Sequence, residues 1–238
     1  MYEYILNLAD DKTTINMILA NKKVFDNEKF YEKVMRKRYQ LLIDFRKENE
    51  TWKALYLRMV YILAKLQEDY QIPYIPTKGC SPELLLDVGK GKEKGIYDIY
   101  DYALGCAAAG GHIHLIDYFF KRSYNKDHAL SLAGEYSNLN TVKYLISKGV
   151  DSYHVLLLGA AAGGNIDVMK LALDMLKSRG WDINGQRPRS AIRRAITNEK
   201  TEAIVFLIQN GLRVNREDID YAEEKGKHDI AEYLRKFL

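Results

Sequence analysis

The segment Ala107-Ala-Ala-Gly-Gly-His-Ile-His-Leu-Ile-Asp-Tyr-Phe-Phe120 returns further along the chain as Ala160-Ala-Ala-Gly-Gly-Asn-Ile-Asp-Val-Met-Lys-Leu-Ala-Leu173. Six of the fourteen positions are identical, and most of the others keep their apolar or polar character. Between them lies a weaker copy in the same register, Ala133 to Ile146. Ala195 to Ile208 is a further copy, and Ala222 to Arg235 a degenerate last one. The copies start at 107, 133, 160, 195 and 222, so the spacings are 26, 27, 35 and 27 residues. Five matches in series are a repeat architecture rather than a coincidence.

Each copy has the same physical logic. Small residues (Ala107, Ala108, Ala160, Ala161) mark a first helix that lets its neighbours approach closely. A Gly-His or Gly-Asn turn follows, where glycine tolerates unusual backbone angles and the polar side chain can cap. A second helix then shows apolar residues at helical spacing: Ile113, Ile116, Phe119 and Phe120, matched by Ile166, Met169, Ala172 and Leu173. Gly149, Gly180 and Gly211 stand where such a helix stops. One helix pair cannot bury its apolar face alone, so neighbours must stack into a solenoid. The last copy puts His228 at the position of Ile113 and Arg235 at that of Phe120, which reads as a polar C-terminal cap.

These residues resemble ankyrin repeats, whose pattern has an Ala-Ala pair, Gly-His, and an apolar helix ending in Leu-Leu and Gly-Ala-Asp. The resemblance covers residues 98–238 and implies an all-α, ankyrin-type solenoid of helical pairs with about five repeats. The family period is about 33 residues, longer than three of the four spacings here, and the Thr-Pro-Leu-His turn is absent. Truncated or absent β-hairpin fingers are therefore expected at most junctions. The long spacing has two expected sources. One is about one extra helical turn before Gly180; the other is a loop from Trp181 to Arg189, the one connection with room for a finger.

Residues 1–80 read as a small N-terminal helical bundle, and 81–97 as a helix followed by a polar linker. Helical patterns run from Tyr2 to Leu8, Thr13 to Lys22, Glu28 to Tyr39 and Thr51 to Tyr70, with Asp26-Asn27 placed to cap the third. Ser81-Pro82-Glu83 opens the helix that precedes the linker, and the run Gly89 to Gly95 is polar loop. The string Ile5-Leu-Asn-Leu-Ala-Asp10, then Ile15 to Lys23, then Phe30 to Val34 resembles an F-box that lacks the Leu-Pro-x-Glu opening. That resemblance implies docking of a Skp-type adaptor of cullin ubiquitin ligases through Ile5, Leu6, Ile15, Ile18, Leu19 and Phe30, with Phe30 or Tyr31 as the aromatic anchor. The combination of both resemblances is similar to multigene families of large DNA viruses of amoebae, which implies a viral protein acting in host cytoplasm. The rival reading is that these helices only cap the solenoid.

Composition excludes several classes. Of 238 residues 47% are hydrophobic and 29% charged, so the chain is neither disordered nor fibrous. The 36 Lys and Arg against 32 Asp and Glu give only +4, too mild and too mixed to select a nucleic-acid partner. Two cysteines, Cys80 and Cys106, are too few for a disulfide framework or a cysteine-only zinc site, so a reducing, intracellular setting is the expectation. The apolar run Leu55 to Leu66 is interrupted by Arg58 and Lys65 and too short to span a bilayer. His112 and His114 lie near Cys106, but His112 holds the turn position that Asn138, Asn165, Lys200 and Lys227 hold in other copies, which makes it structural. No catalytic or phosphate-loop motif is present, so no enzyme, metal or cofactor is expected.

Binding is the reading that remains. Tyr102, Tyr136, Arg193 and Arg194 fall on inner-helix segments, and Trp181, Arg187 and Arg189 in the long loop. Tyr, Trp and Arg are the residues most enriched in binding hot spots. They point to a protein target on the concave solenoid face, with an acidic surface favoured over nucleic acid because the arginine cluster is so short.

Overall fold

The computed structural model describes residues 27–70, 81–89, 99–136 and 138–238. All regular structure among them is helical, with no strand. The chain divides into two compact units, residues 1–95 and 96–238. The helices expected over Tyr2 to Leu8 and Thr13 to Lys22 lie outside the described residues, as do Ile5, Leu6, Ile15, Ile18 and Leu19.

In the first unit, α1 (Glu28–Arg38) runs into a 3-10 turn (Gln40–Phe45), followed by α2 (Trp52–Tyr70) and α3 (Pro82–Gly89). Asn27 caps α1, its side chain accepting from the Lys29 N–H at 3.0 Å. Ser81 does the same for α3 through Leu84 N–H at 3.3 Å. The core is formed by Phe30, Tyr31, Val34, Met35, Leu42, Leu55, Tyr56, Met59 and Val60. The α2 face in this core carries Leu55, Tyr56, Met59 and Val60. A charged clasp closes the connection into α2. Arg58 donates to both carboxylate oxygens of Glu50, at 2.7 and 2.6 Å, and to the Phe45 carbonyl at 2.9 Å. Both side chains are largely buried, and the guanidinium holds the Glu50 carboxyl below its usual range.

The second unit is a stack of five helix pairs. Inner helices are α4 (Ile99–Gly110), α6 (Asp127–Glu135), α8 (Tyr153–Gly163), α10 (Gln186–Thr197) and α12 (Arg216–Glu224). Outer helices are α5 (Ile113–Phe120), α7 (Leu139–Ser147), α9 (Ile166–Ser178), α11 (Thr201–Gln209) and α13 (His228–Arg235). Each inner helix packs on the next inner helix and on its own outer partner, while outer helices touch one another sparsely. The closest approach is α6 to α8. A Cβ on Gly159 would lie 2.0 Å from the Ser131 carbonyl oxygen, and one on Gly163 would lie 2.0 Å from that of Glu135. Backbone meets backbone there, and no side chain fits between.

The turns repeat down to single hydrogen bonds. In every copy the leading alanine (Ala107, Ala133, Ala160, Ala195, Ala222) accepts from the N–H five residues on, at 2.8 to 3.0 Å. These are 6→1 bonds that satisfy an orphan helix carbonyl, and they need a left-handed residue in between. Gly111, Gly164 and Gly226 supply it with φ of 75°, 79° and 69°. In the fourth copy Glu199 occupies the same position with φ 55°. The side chain after each such turn reaches back to the preceding copy. Asn138 covers Gly111 and Lys200 covers Gly164, while Lys227 forms an ion pair with Glu199. Asn165 donates to the Gly134 carbonyl at 2.8 Å.

Outer helices α7, α9 and α11 end in the same 6→1 bond, made by Val150, Trp181 and Leu212. The extra turn of α9 is present: it has 13 residues where the other outer helices have 8 or 9. The long loop is not. α10 begins at Gln186, so Arg187 and Arg189 lie on a helix, and no strand forms between Trp181 and Arg189. Pro188 sits in the first helical turn, where its missing N–H costs nothing.

Three stability outcomes follow from this packing. Gly159→Ala should destabilise by about 2–3 kcal/mol despite alanine's better helix propensity, because the methyl group strikes a carbonyl; urea unfolding followed by circular dichroism checks it. Glu199→Gly should stabilise by about 0.5–1 kcal/mol in the same assay, since it relieves a left-handed residue and loses only an exposed ion pair. Glu50→Gln should cost about 2 kcal/mol at neutral pH, read from Trp52 fluorescence in a Trp181→Phe background. The depressed Glu50 carboxyl contributes stability above its unfolded pKa, and that contribution fades as pH falls through the lower folded value. The wild type should therefore converge on the variant in acid.

Candidate interaction surface

Helix α10 carries four arginines and no acidic residue, and the fold treats the four differently. Arg189 turns toward the next copy. Its guanidinium donates to the Asp218 carboxylate and, at 2.8 Å, to the Arg213 carbonyl. The Asp218 side chain is 1% exposed and also closes a capping box with Asn215 at the start of α12. Arg189 is thus a brace between the fourth and fifth copies. Arg193 donates to Glu217 at 3.1 Å and lies 5.4 Å above the Tyr221 ring. Arg187 and Arg194 are exposed and make no ion pair among the described residues.

Trp181 stands apart from its counterparts. Val150 and Leu212, at the same position after their outer helices, are 5% and 3% exposed, whereas Trp181 is 40% exposed. Its indole lies parallel to the His154 imidazole, with ring centroids 5.5 Å apart and 7° between planes. Burial, and next the Arg187 charge, push the His154 pKa down, opposed by the Asp127 charge. Trp181, Arg187, Arg179, Asp182 and Pro188 line an open groove of about 420 Å³.

Tyr136 caps the C-terminus of α6 beside Glu135. Burial raises the Glu135 carboxyl, opposed by the Arg194 and Lys200 charges. The Tyr136 phenol is likewise raised by burial and by Glu135. Tyr136, Glu135 and Arg194 therefore share one electrostatic neighbourhood that bridges α6 and α10. Tyr102 lies elsewhere, stacked on His128 at 5.9 Å. Phe30 is 3% exposed within the core of the first unit, so its ring is not a surface group.

Sequence reasoning passed over two positions. For His154 no local pattern reveals the indole stacked on it. Asp101, 2% exposed, organises the connection after α5: its Oδ1 accepts from the Ser123 hydroxyl and from the Tyr124 and Asn125 N–H groups at 2.8 and 2.9 Å. That clamp replaces the terminal glycine the first copy lacks, and holds Tyr124 out at 89% exposure.

No protein-family model matches the chain, and no curated protein matches it. Among the described residues no group of three or more His, Cys, Asp or Glu could hold a metal ion; His112 and His114 are a pair only, with ring centroids 6.3 Å apart. No described helix is long and apolar enough to cross a membrane. Cys106 is buried in α4.

The arginines should separate cleanly on substitution. Arg189→Ala strands the buried Asp218 carboxylate and should cost about 3 kcal/mol, whereas Arg194→Ala should stay within about 0.5 kcal/mol of wild type. Paired urea melts of the two variants check this.

Proposed function

We propose that this chain is a non-enzymatic interaction module, an ankyrin-type solenoid that captures a target protein on its inner-helix side. The observation that carries the reading is Trp181: a large apolar side chain left in water at a position its counterparts bury, beside Arg187, which makes no ion pair among the described residues. Exposed Trp and Arg side by side are what binding hot spots are made of. The left-handed turn after the leading alanine in four of the copies, repeated in register, supports the ankyrin-type assignment. The arginine cluster loses weight as a nucleic-acid site, because Arg189 and Arg193 are engaged by Asp218 and Glu217.

The proposal extends to the F-box-like start, which would recruit a Skp-type ubiquitin-ligase adaptor in host cytoplasm. The rival reading, in which the N-terminal helices are purely structural, has one observation in its favour: Phe30 and Tyr31 are packed into their own unit's core. Affinity capture from amoebal lysate with the full chain and with residues 1–40 deleted distinguishes the two. Recruitment predicts an adaptor bound by the full chain only, with the solenoid's target retained by both. A structural role predicts no adaptor in either sample and an insoluble deletion. Recovery of no target by the soluble full chain would count against the interaction reading itself.

A further inference from the structure

Arg187 and Arg194 lie seven residues apart on α10, two helical turns, and so share one face at about 10 Å separation along the axis. Both are exposed and without an ion pair among the described residues, and α10 offers no carboxylate of its own to engage them. The nearby acids are spoken for or set back. Asp182 accepts from the Asn184 N–H at 2.9 Å, Glu217 pairs with Arg193, and Asp218 with Arg189. Glu135 is half-buried and makes no ion pair with Arg194. On the neighbouring α8, His154, Val155 and Leu158 are partly exposed. At the Arg187 end, the stacked Trp181 and His154 rings border the groove. Two cations at a fixed spacing, next to apolar surface and an open indole, form a pattern with a complement.

We infer that the Arg187–Arg194 stripe, with Trp181 at its end, is a receptor for an acidic peptide whose carboxylates are spaced at about 10 Å. This rests on the interaction reading above and names the chemistry of its partner. In a polyproline-II peptide, with three residues per turn and about 3.1 Å per residue, side chains three residues apart share one face at about that distance. Guanidinium groups suit carboxylates through paired N–H donors, and the peptide residues between the acids would lie over Val155 and Leu158. A nucleic-acid strand fits less well. Two free cations neutralise at most two phosphates, too few for appreciable affinity at physiological salt.

The test uses the full chain and fluorescein-labelled octapeptides in anisotropy titrations. One peptide carries two glutamates three residues apart in a Leu/Ser/Ala background, a second has them adjacent, and a third has glutamines in their place. A dT20 oligonucleotide serves as competitor. The spaced peptide should bind about tenfold more tightly than the adjacent one, and the glutamine peptide should not bind. Arg187→Ala and Arg194→Ala should each weaken the spaced peptide about tenfold, and Trp181→Ala should weaken it too, all with unchanged melting curves. Equal binding of all three peptides, displacement by dT20 at comparable concentration, or unchanged affinity in the folded arginine variants would overturn the inference. If the Arg187→Ala/Arg194→Ala double variant still captures the wild-type target, this inference fails while the interaction reading stands.

Discussion

Direct contact between the backbones of neighbouring inner helices is the constraint on which the repeat unit depends. At the α6–α8 joint, Gly159 and Gly163 lie so close to the Ser131 and Glu135 carbonyls that a methyl group has no room. The glycines of α8 at this joint are therefore required by distance rather than favoured by propensity. Once that spacing is set, each outer helix has one side on which to bury its apolar stripe, and α9 does so with Val168, Met169, Ala172, Leu173 and Leu176. The weak helix propensity of glycine is offset by the area buried along the joint.

The second organising element is the closing of helix ends. A short helix leaves a large share of its carbonyls without partners, and helices of 8 to 13 residues make up this unit. The 6→1 bond after each inner helix and after three outer ones satisfies those groups locally, so the chain can reverse direction without burying unpaired polar atoms. Where glycine is missing the fold uses other means: a buried carboxylate at Asp101 in the first copy, and a left-handed glutamate at Glu199 in the fourth.

Much of this was legible in the sequence, because periodicity and small residues are local signals. The five copies, the extra turn of α9, and the caps at Asn27 and Ser81 could all be read directly. What was misread shares a cause. Gly185 and Pro188 look like loop breakers, yet one is an N-cap and the other sits in a first turn, where proline is tolerated. The 35-residue spacing likewise suggested a loop for Arg187 and Arg189, which the helix start at Gln186 overrides. The sorting of α10's arginines into braces and free cations could not be read at all. It depends on acids 24 and 29 residues away, in the next copy. The candidate site was thus legible in composition and illegible in geometry: Trp181 and Arg187 do meet at one groove, Arg189 and Arg193 turn to α12, and Tyr102 pairs with His128. Of the F-box-like residues, Phe30 and Tyr31 have a described environment, while Ile5, Leu6, Ile15, Ile18 and Leu19 lie outside the described residues.

The joints of the solenoid are not alike, and this has a mechanical consequence. The α6–α8 joint is rigid carbonyl against glycine, a contact that cannot stretch without opening a void. The α10–α12 joint is spanned by long arginine side chains, Arg189 to Asp218 and Arg193 to Glu217, which can lengthen by changing rotamer before they let go. Under tension the array would behave as a stiff middle in series with a compliant tail, giving first at the fifth copy. A target lying across α10 would rest on the boundary between the two, where a small flex of the tail alters the surface it feels.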